Sequence, residues 1–291
     1  MRLVHALSLG WRTELIFACF DGSVIERKDC VVVRTPANPF HYWGNCLLLP
    51  RAPRDHELPY WLARFEDEVG CHTHESDHVA IGFDAQTPPE PLLSWRAEGF
   101  EITPTATLSL GTTDLRMPVQ PLAPQFVFER LNLADLSVQQ QIIDLHCVSD
   151  AGAHEPTLYR RHRQLQMQRY AAMQLAGLGH WFAIRHGETL VADCGLFREG
   201  RLGRFQHVGT HPLWRRRGLG RGLIERVTQL GFQQMGLEQI VLRADPADTA
   251  IAIYEAIGYR RRGYAWGALR RPATDRSASP AACRPVDETL G

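Results

Sequence analysis

An α/β protein, with mixed, largely antiparallel sheets flanked by helices and arranged as tandem modules, is what the order of apolar segments predicts. Three observations carry it. A basic, glycine-rich run, Arg215-Arg216-Arg217-Gly218-Leu219-Gly220-Arg221-Gly222, stands between an extended segment and an apolar helix. The order strand, helix, strand, helix, Gly-aromatic occurs twice, closing at Gly99-Phe100 and again at Gly258-Tyr259. A proline-rich segment at 117–124 separates the two occurrences, as a linker would.

In the first half, strands are expected at 14–20, 24–34 and 42–49, with Asp21-Gly22 as the hairpin turn between the first two. A helix follows from Asp55 and buries Leu58, Trp61, Leu62, Phe65 and Val69 on one face. Next come a strand at 78–83 and a helix capped by Thr87, with Pro88 and Glu90 in its first turn. The loop after Leu49, Pro50-Arg51-Ala52-Pro53-Arg54, has no glycine pair, and its prolines remove backbone donors. Cys71-His72-Thr73-His74-Glu75-Ser76-Asp77-His78 gathers potential metal ligands. Neither a second Cys pair nor a helix-placed His pair accompanies it, so no metal is expected.

In the second half, helices are expected at 134–146 and 156–175. Strands at 180–185 and 189–193 flank the turn His186-Gly187-Glu188, and Glu199-Gly200 turns the chain into a strand that ends at Thr210. His211-Pro212-Leu213-Trp214 leaves that strand. Leu219, Leu223, Val227 and Leu230 recur at helical spacing up to a stop at Gly236. A buried strand at 238–244 leads to Asp245 as N-cap, Pro246 at the first helical position and Asp248 in the first turn. That helix carries Ala250, Ile251, Ile253, Tyr254 and Ile257, stops at Gly258, and gives way to an extended segment at 259–269. Residues 272–291 have little apolar patterning and are expected to be a disordered tail.

The run at 215–222 suits an anion. The first-turn N–H groups of a helix need acceptors, the helix dipole favours negative charge there, and glycines let a phosphate reach the backbone. No Lys followed by Ser or Thr closes it, which excludes a P-loop. Gly218, Gly220 and Gly222 have the wrong spacing for a dinucleotide fingerprint.

Residues 125–271 resemble the GNAT superfamily of acyl-CoA-dependent N-acyltransferases. Arg215-x-x-Gly218-x-Gly220 matches its pyrophosphate motif, and Tyr254-Glu255-Ala256-Ile257-Gly258-Tyr259, with Ala250 before it, matches its second signature. Ala247 stands where that signature often has Asn, so one coenzyme contact is expected to be missing. The resemblance implies direct transfer of an acetyl or other short acyl group from acetyl-CoA, or another acyl-CoA, to a primary amine, with no covalent enzyme intermediate. It implies that Arg215, Arg216, Arg217, Gly218, Leu219, Gly220, Arg221 and Ala250 hold the cofactor, that the backbone of Val208, Gly209 and Thr210 pairs with the pantetheine arm, and that Tyr254 protonates the leaving thiolate. It places a base on the strand before the motif, where this chain offers Arg204, Gln206 and His207. Arg204 and Gln206 would line the acceptor side and are poor bases. His207 faces away from them unless a bulge intervenes. A water chain to Asp193 or Glu238 is the alternative. Residues 1–120 then form a degenerate GNAT-like module, expected to bind no acyl-CoA and to serve as scaffold or as a wall of the acceptor site.

The 32 Lys and Arg balance the 32 Asp and Glu, so nucleic acid is not an expected partner. Seven scattered cysteines with no secretory signal point to reduced thiols in the cytoplasm. No apolar run approaches the roughly twenty residues of a membrane span. The expected acceptor is a small amine or amino-acid derivative, ahead of a protein amine. His154-Glu155 and Arg160, Arg161 and Arg163 stand where they would face either an acidic acceptor or solvent. Oligomeric state is not readable. A non-catalytic acyl-CoA binder or sensor is the competing reading.

Overall fold

A computed structural model describes residues 3–73, 75–85, 88–114, 121–150 and 152–273. The first half comprises helices Leu3–Ala6 (α1) and Leu9–Asp21 (α2), strands Ser23–Glu26 (β1), Val31–Arg34 (β2) and Cys46–Leu49 (β3), helix Leu58–Glu68 (α3), strand Val79–Asp84 (β4), helix Leu93–Ala97 (α4) and strand Glu101–Gly111 (β5). The second half runs Phe126–Leu131 (β6), Leu136–Ser149 (α5), Pro156–Leu175 (α6), Gly179–His186 (β7), Thr189–Glu199 (β8), Leu202–Thr210 (β9), Leu219–Gln234 (α7), Gln239–Ala244 (β10), Ala250–Ile257 (α8) and Arg260–Arg270 (β11).

Several expectations are corrected. Residues 14–20 lie in helix α2, so Asp21-Gly22 ends a helix and makes no hairpin. Trp11, Leu15 and Ala18 of α2 pack on one core, whereas Ile16 and Phe17 pack on another. Burial on both sides erases the helical period and leaves an apolar run that mimics a strand. Residues 24–34 split into β1 and β2, which pair antiparallel. Tyr42–Gly44 is a 3-10 turn before β3. The helix expected after Pro88 is only α4, its proposed cap Thr87 lying outside the described residues. Helix α8 begins at Ala250, because Asp245 and Asp248 cap turns by accepting from the Ala247 and Ala250 N–H groups, both at 2.8 Å. Strands β5 and β6 were not anticipated. The tail from 274 and residues 115–120, which take in the start of the expected linker at 117–120, also lie outside the described residues.

The expected sheets are fused into one 11-stranded sheet in the order β1-β2-β3-β4-β11-β5-β10-β9-β8-β7-β6. The last strands of the two halves are exchanged: β11 pairs antiparallel with β4, and β5 with β10, while β5 and β11 pair with each other at the centre. Alternation along β7 sorts the layers. Trp181 and Ala183 face the side that carries α2, α5 and α6, and Phe182 and Ile184 face α7 and α8. Because α2 crosses from one core to the other, it binds the two halves on a common face. No described helix is long and apolar enough to cross a membrane.

Candidate functional site

Strands β9 and β10 run parallel and pair only between residues 202–204 and 239–241. Beyond Arg204 they part, so the β10-facing edge of β9 from Phe205 to Thr210 has no strand partner. Val208, Gly209 and Thr210 form the end of this open edge. An extended ligand arm could complete its hydrogen bonding.

Directly above, the chain turns through Pro212–Trp214 and the arginines into α7. Arg216 (φ 62°) and Gly218 (φ 77°) both occupy the left-handed region, which turns neighbouring N–H groups toward one hollow. Helical bonding starts only with the Gly222 N–H donating to the Gly218 carbonyl, at 2.9 Å. The N–H groups of Leu219, Gly220 and Arg221 therefore have no acceptor within α7, and no side chain caps them. Nothing lies within 4 Å of a Cβ placed on Gly218, and only Thr210 Oγ1, at 3.4 Å, approaches one on Gly220. The space over this turn is open to an anion.

The three arginines differ in their roles. Arg215 Nε donates to the Thr210 carbonyl, at 3.2 Å, and Arg217 lies 4.9 Å over the Trp214 ring. Both brace the loop. Arg221 Nε is taken by Glu225, at 2.7 Å, which leaves its main-chain N–H for a ligand. Leu219 is buried and anchors the helix start.

Tyr254, on α8, is 8% exposed and belongs to the core cluster against which Val208 and Ala250 pack. Its hydroxyl bonds to no other described residue. Burial raises its pKa, with Asp248 and Cys194 adding to the effect, so the phenol keeps its proton at neutral pH. Tyr259, by contrast, shares a hydrogen bond with Thr228, at 2.8 Å.

A bulge lies across β8 and β9. Asp193 pairs with Gly209 but Gly195 with Gln206, so β9 carries one extra residue, and His207 absorbs it at φ 43°. This turns His207 to the face that carries Arg204 and Gln206. There its ring centroid lies 3.5 Å from that of His146 on α5. Asp193 Oδ2 accepts from His146 Nε2, at 2.8 Å, and from Trp181 Nε1, at 2.9 Å. Arg163 Nε donates to His146 Nδ1, at 2.9 Å, which fixes the Nε2–H tautomer. Asp193 Oδ1 and His207 Nε2 are buried without partners, and both lie 3.2 Å from where Gly209 would carry a Cβ. Two unused polar atoms thus converge over Gly209, on the face of β9 that carries α5.

Burial drives the electrostatics here. It lifts Asp193 to about 6 against the pull of His207 and the Trp181 hydrogen bond. It also holds His146 and His207 well below the usual imidazole range, with Arg163 pushing both the same way. His146, Asp193 and His207 bring ligand-type atoms within 4.8 Å of one another, the only such group among the described residues. The guanidinium on His146 and the Trp181 donor on Asp193 make those residues a hydrogen-bonded relay, with the His207 ring packed against it.

Arg204 does not open onto the acceptor side. It is 5% exposed and paired with Glu14 of α2, at 2.8 Å, which also takes Arg243, at 3.3 Å. Gln206 is half-buried on the same face. Arg163 points inward, and Arg160 pairs with Asp144 at 2.7 Å. His146 and Glu14 were missed, since nothing nearby in sequence marks them. Asp193 had a signal, a carboxylate inside the apolar strand segment Val191-Ala192-Asp193-Cys194.

Residues 177–261 match the family model described as an acetyltransferase (GNAT) domain. No curated protein sequence matches the chain. Among solved structures, a conserved protein of unknown function from Staphylococcus epidermidis aligns with a TM-score of 0.67 at 14% identity, covering 87% of this chain and 95% of its own. A GCN5-related N-acetyltransferase from Kribbella flavida aligns with a TM-score of 0.62 at 18% identity, covering 92% and 97%. A tandem GNAT protein of the clavulanic acid biosynthesis pathway aligns with a TM-score of 0.52 at 11% identity, covering 81% and 74%. The chain therefore carries a GNAT acetyltransferase domain at residues 177–261, set in a fold that it shares, over most of its length, with tandem GNAT proteins.

Proposed function

We propose that the protein is an N-acyltransferase that moves an acetyl or other short acyl group from acyl-CoA to a primary amine, residues 125–271 holding the donor and residues 1–120 serving as scaffold and wall. One observation carries this reading: the unpaired edge of β9 leads directly to the uncapped first turn of α7. Main-chain N–H groups around Gly218 to Arg221 would hold the diphosphate, and Val208 to Thr210 would hold the pantetheine arm. The loop at residues 50–54 of the first half offers no such turn, since its prolines lack N–H groups and the Arg54 N–H is taken by Glu57 Oε2, at 3.0 Å.

The amine nitrogen attacks the thioester carbonyl, forming the C–N bond as the C–S bond breaks. Its surplus proton passes to the Asp193–His207 pair, whose unpartnered oxygen and nitrogen meet over Gly209. Tyr254 donates its phenolic proton to the departing thiolate. His146, held by Arg163, orients Asp193 through the second carboxylate oxygen.

Calorimetry with acetyl-CoA, followed by thiol release in the presence of amines, tests the assignment. Gly220→Asp should abolish binding while the fold survives, because its Cβ meets only Thr210 Oγ1, at an ordinary contact distance of 3.4 Å, and its charge opposes the diphosphate. Unchanged affinity would remove this turn from the site. Tyr254→Phe should lower kcat by about 100-fold and leave affinity intact. Tight binding without turnover across a broad amine panel would favour the sensor reading.

A further inference from the structure

A cavity of about 270 Å³ opens between the two halves, on the face that carries α2, α5 and α6. One wall is His41, Tyr42 and Trp43 of the first half. The other is Tyr159 and His162 of α6 together with His154 just before it, and Leu269 and Arg271 close one end. Rings dominate the lining. His154 stacks on Tyr159 at 5.0 Å and 11°, and the His41 and His162 rings lie 5.4 Å apart across the junction. No carboxylate side chain is among the lining residues.

We propose that this cavity seats the body of the acceptor, and that the acceptor is a primary alkylamine whose short chain carries an aromatic ring. The proposal rests on the N-acyltransferase reading above and names its second substrate.

Flat aromatic walls suit a ring, because aromatic side chains pack edge-to-face or offset against one another and against a ligand ring. Charge narrows the choice further. Burial, then Arg169, hold His41 down to about 4, and burial, His41 and Arg163 hold His162 well below its usual range, so both imidazoles are neutral. Aromatic faces attract cations. Here the positive field of Arg163, whose side-chain partners His146 and Gln166 carry no negative charge, opposes a polycation and favours the uncharged form of a monoamine, the form that attacks a thioester. Position supplies the link to the chemistry: Arg163 follows His162 on α6 and holds His146, and the Asp193 charge is among those acting on Tyr159. A ring seated between Trp43 and Tyr159 would thus bring its amine toward the Asp193–His207 pair. The first half, which lacks an anion-binding loop, finds its use in this wall.

The test uses the full chain with acetyl-CoA and five amines: 2-phenylethylamine, tryptamine, butylamine, putrescine and spermidine. Aromatic amines should have kcat/KM values about tenfold or more above those of the polyamines. Tyr159→Ala should erase that preference by raising KM for the aromatic amines, and Leu158→Trp, which fills the cavity, should raise it as well. Calorimetry of 2-phenylethylamine without acyl-CoA reads the cavity independently of turnover. Spermidine matching the aromatic amines, an unmoved preference in both variants, or no heat and no turnover with any aromatic amine would overturn the proposal. Should acetyl-CoA alone fail to bind while 2-phenylethylamine gives heat, the transferase reading falls and the ring-binding cavity stands.

Discussion

His207 occupies the left-handed region inside a strand, a conformation that costs a non-glycine residue about 1 kcal/mol or more. The return on that strain is placement, since without the extra residue the imidazole would point away from Asp193. Asn tolerates the same backbone. His207→Asn should therefore keep its unfolding temperature and lose turnover by about 100-fold, as measured by melting and thiol release in parallel. The buried imidazoles also set an acid limit. His41, His146, His162 and His207 titrate below 6.5 in the folded chain, so the stability they contribute is complete above that value and is lost as pH falls through their depressed folded values. Asp193 works in the opposite direction: its contribution is present below 3.8 and is lost as pH rises through about 6. Four groups outweigh one. Melting temperatures should drop between about pH 7 and about pH 5, and a flat profile would show that these imidazoles reach water.

Helix α2 shows what sequence pattern can and cannot reveal. Helices α6 and α7 were legible: Pro156 opens one, and the glycines open the other ahead of Leu219, Leu223 and Val227. Each has a single buried face and therefore a period. Helix α2 has two, and the signal vanishes. The uncapped turn at Gly218 was legible because local backbone chemistry makes it, whereas the meeting of Arg163, His146, Asp193 and His207 joins α6, α5, β8 and β9, and no local spacing encodes it. Glu14 is the clearest case, because its partners Arg204 and Arg243 lie about 190 and 230 residues away. Burial pushes its carboxyl up, yet the two guanidinium groups outweigh burial and hold it below the usual range. Glu14→Gln should cost about 3 kcal/mol or more in urea unfolding, since it leaves two buried cations without their counter-charge. A loss under about 1 kcal/mol would mean that water reaches them.

At the scale of the molecule, the proline-rich segment still divides the sequence into similar halves, while the sheet does not divide there. Strand β5 was invisible as a component of the second half because exchange between modules depends on their docking, which neither module's pattern records. The central pairing runs from Arg260↔Ser109 to Leu269↔Glu101. A fragment of residues 125–271 would have β10 lacking β5 and β11 lacking both neighbours, leaving bare edges of the kind that aggregate. Expressed alone, it should be insoluble, and co-expression with residues 1–124 should restore a soluble complex that binds acetyl-CoA. A monomeric, folded fragment in solution would refute this.

The same central pairing bears on biosynthesis. Thr105 waits for Ala265, a partner some 160 residues downstream, so the earlier module emerges from the ribosome with an unfinished margin and cannot close until the final strand has cleared the exit tunnel. Premature termination anywhere before that strand would yield a nascent product exposed at two places at once, which makes translation through β11 the commitment point for the sheet.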